Sequence, residues 1–278
     1  MQNHKIKITT LDLYNNEQNE GMRCIREIVT DVINANNEID ISYDVFESRF
    51  RGDFPDLSYD IFISSGGPGS PFEDEAKQWD KDYFNLLDKI WTNNQNNNYQ
   101  KKYMFFICHS FQMMARYFKF GEVNKRFINS FGVMPFNKTA DGKSDLILND
   151  LCDPFYAADI RHWQVVNADH NKISELGAKI LAWETPESEN KENPSISAIR
   201  ISNEIAGTQF HPEADPQSML YHFKQHERKD FIIKRYNEQK YNEMIEWLEH
   251  PDKISLTRKT VLPNFLNKAV EELSKVAV

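Results

Sequence analysis

Tyr103-Met104-Phe105-Phe106-Ile107-Cys108-His109-Ser110-Phe111-Gln112 changes its period at the cysteine. Before it stands an apolar run, Tyr103 to Ile107, which reads as a buried strand. After it, Phe111, Met114, Ala115 and Phe118 fall at i, i+3, i+4 and i+7, one face of a helix. Cys108 therefore occupies a strand-to-helix turn. Such a turn lifts a side chain clear of the sheet and aims the free N–H groups of the helix at it. The positive end of the helix favours thiolate over thiol, so a cysteine here is expected to be more nucleophilic than a free one. Burial as a small apolar residue is the ordinary fate of a free cysteine. The surrounding chain decides between the two roles.

Upstream, Lys5 to Leu13 alternates as a first strand. Glu20 to Asn34 carries Met22, Ile25, Ile28, Val29, Val32 and Ile33 on one helical face. Ile41, Tyr43 and Val45 alternate as a second strand. Phe54 to Ser58 is a connector. Tyr59 to Ser64 reads as a strand covered on both faces. It runs into Ser65-Gly66-Gly67-Pro68-Gly69-Ser70-Pro71, a loop by its glycine and proline content. Trp79 to Trp91 has helical spacing, and the asparagine-rich Thr92 to Gln100 reads as a solvated loop.

Downstream, Phe127 to Thr139 and Ala158 to Val166 read as extended, with short strands at Ile180–Trp183, Ile196–Ile201 and Ile205–Phe210. Glu184 to Pro194 reads as a surface turn. Asp215-Pro216 is a helix start, a capping carboxylate followed by proline at the first helical position. Gln217 to Leu248 and Leu262 to Val276 are charged and helical, broken at His250-Pro251-Asp252.

This alternation predicts an α/β fold with a mainly parallel sheet. It divides the chain into an α/β body, residues 1–215, and a C-terminal helical extension, residues 216–278, packed on it. In such sheets the working site lies beyond the carboxyl ends of the strands. The Gly66–Gly69 loop and Cys108 both fall there.

Composition excludes several classes. The chain has 278 residues, 40% hydrophobic and 27% charged, enough for a sizeable core. A net charge of −9 argues against a nucleic-acid or anionic-membrane surface. Cys24, Cys108 and Cys152 are sparse, unpaired in spacing and odd in number, which fits a reducing compartment. Without an apolar leader or a membrane-length run, the expectation is a cytoplasmic protein.

Cys108 needs a base, and His211 is the candidate. It ends a strand, and Glu213 follows two residues on, on the same side of an extended chain. A carboxylate beside an imidazole fixes its tautomer and favours its protonated form. Cysteine, histidine and glutamate then serve as nucleophile, base and orienter.

Three segments together resemble the class I glutamine amidotransferase family of the Cys-His-Glu type, such as the glutaminase domain of GMP synthase. Tyr59 to Ser70 is similar to its Gly-Gly-Pro-Gly oxyanion loop. Phe106 to Gln112 is similar to its nucleophile elbow, Gly-x-Cys-x-Gly-x-Gln. Gly207-Thr208-Gln209-Phe210-His211-Pro212-Glu213 is similar to its His-Pro-Glu strand.

The resemblance covers about residues 5 to 215. It implies a flavodoxin-like three-layer sandwich, no cofactor or metal, and hydrolysis of a γ-glutamyl amide through a thioester. It assigns attack to Cys108, proton transfer to His211 and orientation to Glu213. The backbone N–H groups of Gly67 and His109 would hold the oxyanion. Gly66, Gln112 and His162 would serve the substrate, Gln112 also supporting the elbow.

Both flanking glycines of the elbow are replaced, by Phe106 and Ser110. Phe106 either fills space or alters the acyl pocket. Ile160-Arg161-His162-Trp163-Gln164-Val165 stands where the family often carries Ser-His-x-Asp. That change suggests a substrate other than free glutamine, for example a γ-glutamyl peptide. The extension is too short for a synthetase domain, so an acceptor of ammonia would be a separate chain. The alternative is a non-catalytic binding or regulatory protein on the same fold. The helical extension offers a dimer or partner surface in either case.

Other motifs carry less. Ser65 to Ser70 lacks the Lys-[Ser/Thr] of a phosphate loop. His222 and His226 are four apart but form no His-Glu-x-x-His. The Cys108-His109 pair also resembles a related superfamily of cysteine hydrolases and chaperones; the His-Pro-Glu segment favours the amidotransferase reading.

Overall fold

The computed structural model describes residues 5–185 and 194–276. The first half runs β1 (Ile6–Leu11), α1 (Gly21–Ala35), β2 (Ile41–Phe46), α2 (Ser48–Arg51), β3 (Ile61–Ser64), α3 (Gln78–Gln95), β4 (Tyr103–Ile107) and α4 (His109–Phe118). It continues with β5 (Glu122–Lys138), α5 (Ala140–Ser144), β6 (Phe155–Val166), α6 (His170–Leu176), β7 (Lys179–Glu184), β8 (Ile196–Arg200) and β9 (Ile205–Thr208). Four helices follow: α7 (Pro216–Lys224), α8 (His226–Arg235), α9 (Glu238–Glu249) and α10 (Ile254–Val276).

The strands form one sheet in the order β2-β1-β3-β4-β9-β8-β7-β5-β6. Its first five strands are parallel, in the order of flavodoxin-like sheets. Strands β8, β7, β5 and β6 extend it in antiparallel pairings. The parallel strands are apolar on both faces because helices cover both. Ile61, Ile63, Phe105 and Ile107 face a layer built from α1 and α10. Phe62, Met104 and Phe106 face α3 and α4. The architecture is a three-layer α/β sandwich.

The C-terminal helices do two things. Helices α7, α8 and α9 pack over β5 and β6 around Phe131, Val133, Phe223 and Met244. Helix α10 buries Leu262, Phe265, Leu266 and Val270 in the same core as Ile6, Ile8 and Ile25. Among the described residues no helix is long and apolar enough to cross a membrane.

Several boundaries differ from the sequence reading. Helix α3 runs on to Gln95, because the buried Asn94 side chain caps the next strand through the Lys102 N–H (2.8 Å) and carbonyl (2.7 Å). Residues 217–248 form three helices, not one, divided where Gln225 and Asn237 leave helical backbone. The last helix starts at Ile254 and carries Pro263 inside it. Helices α5 and α6 were not anticipated; each is short and buries a single residue, so neither shows a periodic stripe. Most of the expected turn at 184–194 lies outside the described residues.

Candidate active site

The turn after β4 is strained. Cys108 has φ 50° and ψ −99°, a backbone region that non-glycine residues rarely adopt. Its N–H donates to Thr208 O of β9 at 2.9 Å, and its carbonyl accepts from Gln112 N at 3.2 Å, which fixes the turn between strand and helix. Ser110 stands where a flanking glycine is expected. Its Oγ accepts from Ile107 N (2.8 Å) and donates to Ser64 O (2.7 Å), so the hydroxyl fastens the ends of β3 and β4 to the turn. Phe106 points away from the cavity, into the layer of α3 and α4, and is almost fully buried there.

His211 follows β9. Its N–H donates to Ala158 O at 2.8 Å, an isolated bridge to β6. Its Nδ1 lies 2.8 Å from Glu213 Oε1, which leaves Nε2 free to serve the sulfur. Burial alone would push the His211 pKa down. The negative charges of a Cys108 thiolate and of Glu213, with hydrogen bonds to both side chains, carry it well above the usual histidine value.

Two arginines from distant helices hold this segment. Arg258 of α10 donates from Nη1 to the Glu213 carbonyl and from Nη2 to Glu27 Oε2 at 2.8 Å. Arg23 of α1 donates to Asp215 Oδ2 at 2.9 Å. Asp215 caps α7 in a reciprocal box with Ser218, as the Asp-Pro pair predicts.

The glycine loop is fixed from beneath. Arg49, with a buried side chain, donates to Pro68 O (2.7 Å) and to Asp74 Oδ2 (3.2 Å), and it also pairs with Glu73. Arg116 donates to Pro71 O and to Asp80 Oδ1 (3.1 Å). A Cβ on Gly67 would stand 2.5 Å from Leu13 O, so only glycine lets the loop approach β1 this closely. A Cβ on Gly66 would stand 3.0 Å from both His211 Cε1 and the Tyr14 hydroxyl.

A cavity of about 290 Å³ opens over Cys108. It brings together Cys108, His211 and Glu213 with Gly67, His109, Gln112 and His162. Gly66 stands outside this lining, packed between Tyr14 and His211. Gln112 donates to Trp163 O (3.2 Å) and to Gln209 Oε1 (3.4 Å), tying α4 to β6 and to the chain after β9. His162 is exposed and reaches the lining from β6, whereas Gln164 is buried and accepts from Arg126 at 2.9 Å.

His109 is buried, and Nε2 has no hydrogen-bond partner. Burial, then the charges of Arg49 and Arg116, push its pKa down to about 3, so its ring is neutral. Arg161 is also buried; Nε bonds both Asp159 oxygens (2.9 and 3.0 Å) and Nη2 bonds Glu184 (2.8 Å).

The sequence reading missed Tyr14, Arg49, Arg258 and Arg228. Tyr14 and Arg228 line the cavity, while the other two hold its walls from behind. Tyr14 follows directly on the first strand at its carboxyl end, a placement that could have singled it out. The arginines left no local signal, since their partners are far along the chain.

Comparison with known proteins follows from this geometry. The family model described as glutamine amidotransferase class I matches residues 22–227. No curated protein matches the sequence. Among solved structures, a glutamine amidotransferase from Thermotoga maritima aligns with TM-score 0.66 at 15% identity, over 96% of this chain and 99% of that one. A glutamine amidotransferase from Methylobacillus flagellatus aligns with TM-score 0.58 at 12% identity, over 99% and 95%. The glutaminase domain of Trypanosoma brucei CTP synthase, solved with bound acivicin, aligns with TM-score 0.56 at 12% identity, over 82% and 92%. At these identities the structural likeness is one of fold.

Proposed function

Because the chain belongs to the class I glutamine amidotransferase family, we propose that it is a cysteine amidohydrolase that cleaves a γ-glutamyl amide through a thioester. The observation that carries this reading is the strained Cys108 sharing one cavity with His211, whose Nδ1 lies 2.8 Å from Glu213 Oε1.

Cys108 Sγ attacks the amide carbon and forms the C–S bond. The oxygen gains the negative charge and is received by the N–H groups of Gly67 and His109. His211 gives its proton to the departing nitrogen as the C–N bond breaks. Water, deprotonated by His211, then attacks the thioester, releases the γ-carboxylate and returns the sulfur. Glu213 holds the ring in the required orientation throughout. Gln112 keeps the elbow and the β6 segment in register, with His162 beside the acyl group and Gly66 packed against the His211 ring.

We read residues 1–215 as the catalytic body and residues 216–278 as an extension that completes it, since α10 lies in the shared core. Ammonia released here would pass to a synthetase on a separate chain; a peptide substrate would need no acceptor. The three free cysteines suit a reducing compartment such as the cytoplasm.

The test is covalent labelling by a diazo-ketone analogue of glutamine, read by intact mass. Stoichiometric labelling of wild type, absent in Cys108→Ser, supports the reading. A folded protein that takes neither this reagent nor a small neutral alkylator at Cys108 refutes it, and leaves the binding-protein alternative.

A further inference from the structure

The wall of the Cys108 cavity is unevenly charged. Of its carboxylates, Glu20 receives Arg23 Nε at 2.7 Å and Glu213 holds His211 at 2.8 Å, while Glu17 is exposed to solvent. Arg161 is consumed by Asp159 and Glu184, although its buried Nη1 has no hydrogen-bond partner. Arg228, on α8, differs. It lines the same cavity, is exposed, and forms no ion pair among the described residues.

Arg228 is nevertheless placed. Its guanidinium carbon lies 5.2 Å from the centroid of the Phe131 ring, and Phe131, on β5, is buried against Phe223 of α7. A guanidinium on a fixed aromatic platform keeps its hydrogen-bonding edge free and loses little freedom on binding. His162 of β6 and His222 of α7 share the cavity with it. Partial loss of solvent in the cavity wall first, and then the charge of Arg228, lower both pKa values below the usual histidine value. At neutral pH this part of the wall presents one permanent cation flanked by two neutral imidazoles.

We propose that Arg228 is a substrate-binding residue: with His162 and His222 beside it, it receives a carboxylate of the substrate at the mouth of the Cys108 cavity. The proposal rests on the hydrolase reading and makes it more specific. Through it the helical extension selects the substrate, because the cation comes from α8 and not from the catalytic strands. An arginine fork matches a carboxylate in two parallel hydrogen bonds, which lysine does not reproduce. The carboxylate has two sources, the α-carboxylate of the glutamyl group or a carboxylate on the leaving amine.

The experiment compares wild type, Arg228→Gln and Arg228→Lys on γ-glutamylglycine, on γ-glutamylglycinamide and on the α-amide of γ-glutamylglycine. Arg228→Gln is expected to lower kcat/KM for γ-glutamylglycine about tenfold or more, mainly through KM, with partial recovery in Arg228→Lys. If the loss vanishes on the glycinamide, the leaving group carries the recognised carboxylate; if it vanishes on the α-amide, the glutamyl group does. Equal effects on all three substrates, or none, overturn the subsite. Binding of γ-glutamylglycine to Cys108→Ala, measured calorimetrically with and without Arg228→Gln, keeps the two readings separate. Wild type that turns over nothing while this binding weakens with Arg228→Gln defeats the hydrolase and retains the subsite. An unchanged Kd, or no binding at all, defeats the subsite.

Discussion

Phe106 on β4 lies directly beside Gly207 on β9: a Cβ on the glycine would stand 2.9 Å from Phe106 Cβ and 3.0 Å from Phe106 O. The small residue that the elbow lacks on its own strand is present on the neighbouring one. Phe106 fills the layer of α3 and α4 instead of narrowing the acyl pocket. Gly207→Ala is therefore expected to force β4 and β9 apart, costing about 1–3 kcal/mol and slowing Cys108 labelling. Phe106→Gly, which restores the family residue, is expected to cost about 3–5 kcal/mol without raising reactivity. Urea unfolding with parallel labelling checks both; a Phe106→Gly protein of undiminished stability would contradict the packing role.

Ser110 is tied by its hydroxyl to Ser64 O and to the Ile107 N–H. Ser110→Gly removes both bonds and leaves buried groups unpaired, so stability is expected to fall by about 1–3 kcal/mol. Denaturant midpoints compared with Ser110→Ala separate the lost hydroxyl from added backbone freedom. Similar losses in both variants support the hydroxyl's role.

Glu213 is one of the groups that raise the His211 pKa. Glu213→Gln removes that charge, so the imidazolium is lost at lower pH than in wild type. The midpoint of the His211 titration, followed by NMR, moves down. Turnover drops by about 10²–10⁴-fold as the ring loses its orienting carboxylate. A midpoint that stays in place would show that Cys108 alone sets the imidazolium.

His109 gives a pH signature in stability. Its folded pKa, about 3, lies below the ordinary 6.5. The unfolded chain therefore takes up a proton that the folded one refuses. The stabilising contribution is complete above pH 6.5 and is lost as pH falls toward 3. Relative to His109→Asn, wild type should lose roughly 1.4 kcal/mol per pH unit below 6.5. Unfolding of both proteins at neutral and mildly acid pH measures the difference, and parallel curves would refute it.

The segments of the candidate site were legible because each is local. A change of hydrophobic period marks Cys108, and Glu213 stands only two residues beyond His211, although the chain turns there instead of staying extended. The parallel strands were legible because helices cover both faces and leave continuous apolar runs. Other contacts had no local trace. Arg49 reaches Pro68 O from α2, and Arg258 reaches Glu213 O from α10. Asn94 was read as part of a solvated tract, yet its side chain is buried against the Lys102 backbone. Composition describes an asparagine-rich stretch on average and misses the one member that is paired.

Helix α10 has a consequence for how the chain reaches this structure. Its Phe265 packs against Tyr103 and Phe105 of β4, in one core with Ile6, Ile8 and Ile63, although a long stretch of chain separates them in sequence. Loop closure over such a distance is entropically unfavourable, and contacts of high sequence separation slow folding. Until that layer closes, the parallel strands present a continuous apolar face to water. Because Arg258 sits on the same helix and bonds the Glu213 carbonyl, that support for the His211–Glu213 segment forms only with this long-range closure. Folding intermediates without α10 would combine exposed core with an unsupported His211–Glu213 segment, so aggregation and disorder at the candidate site should share one kinetic origin.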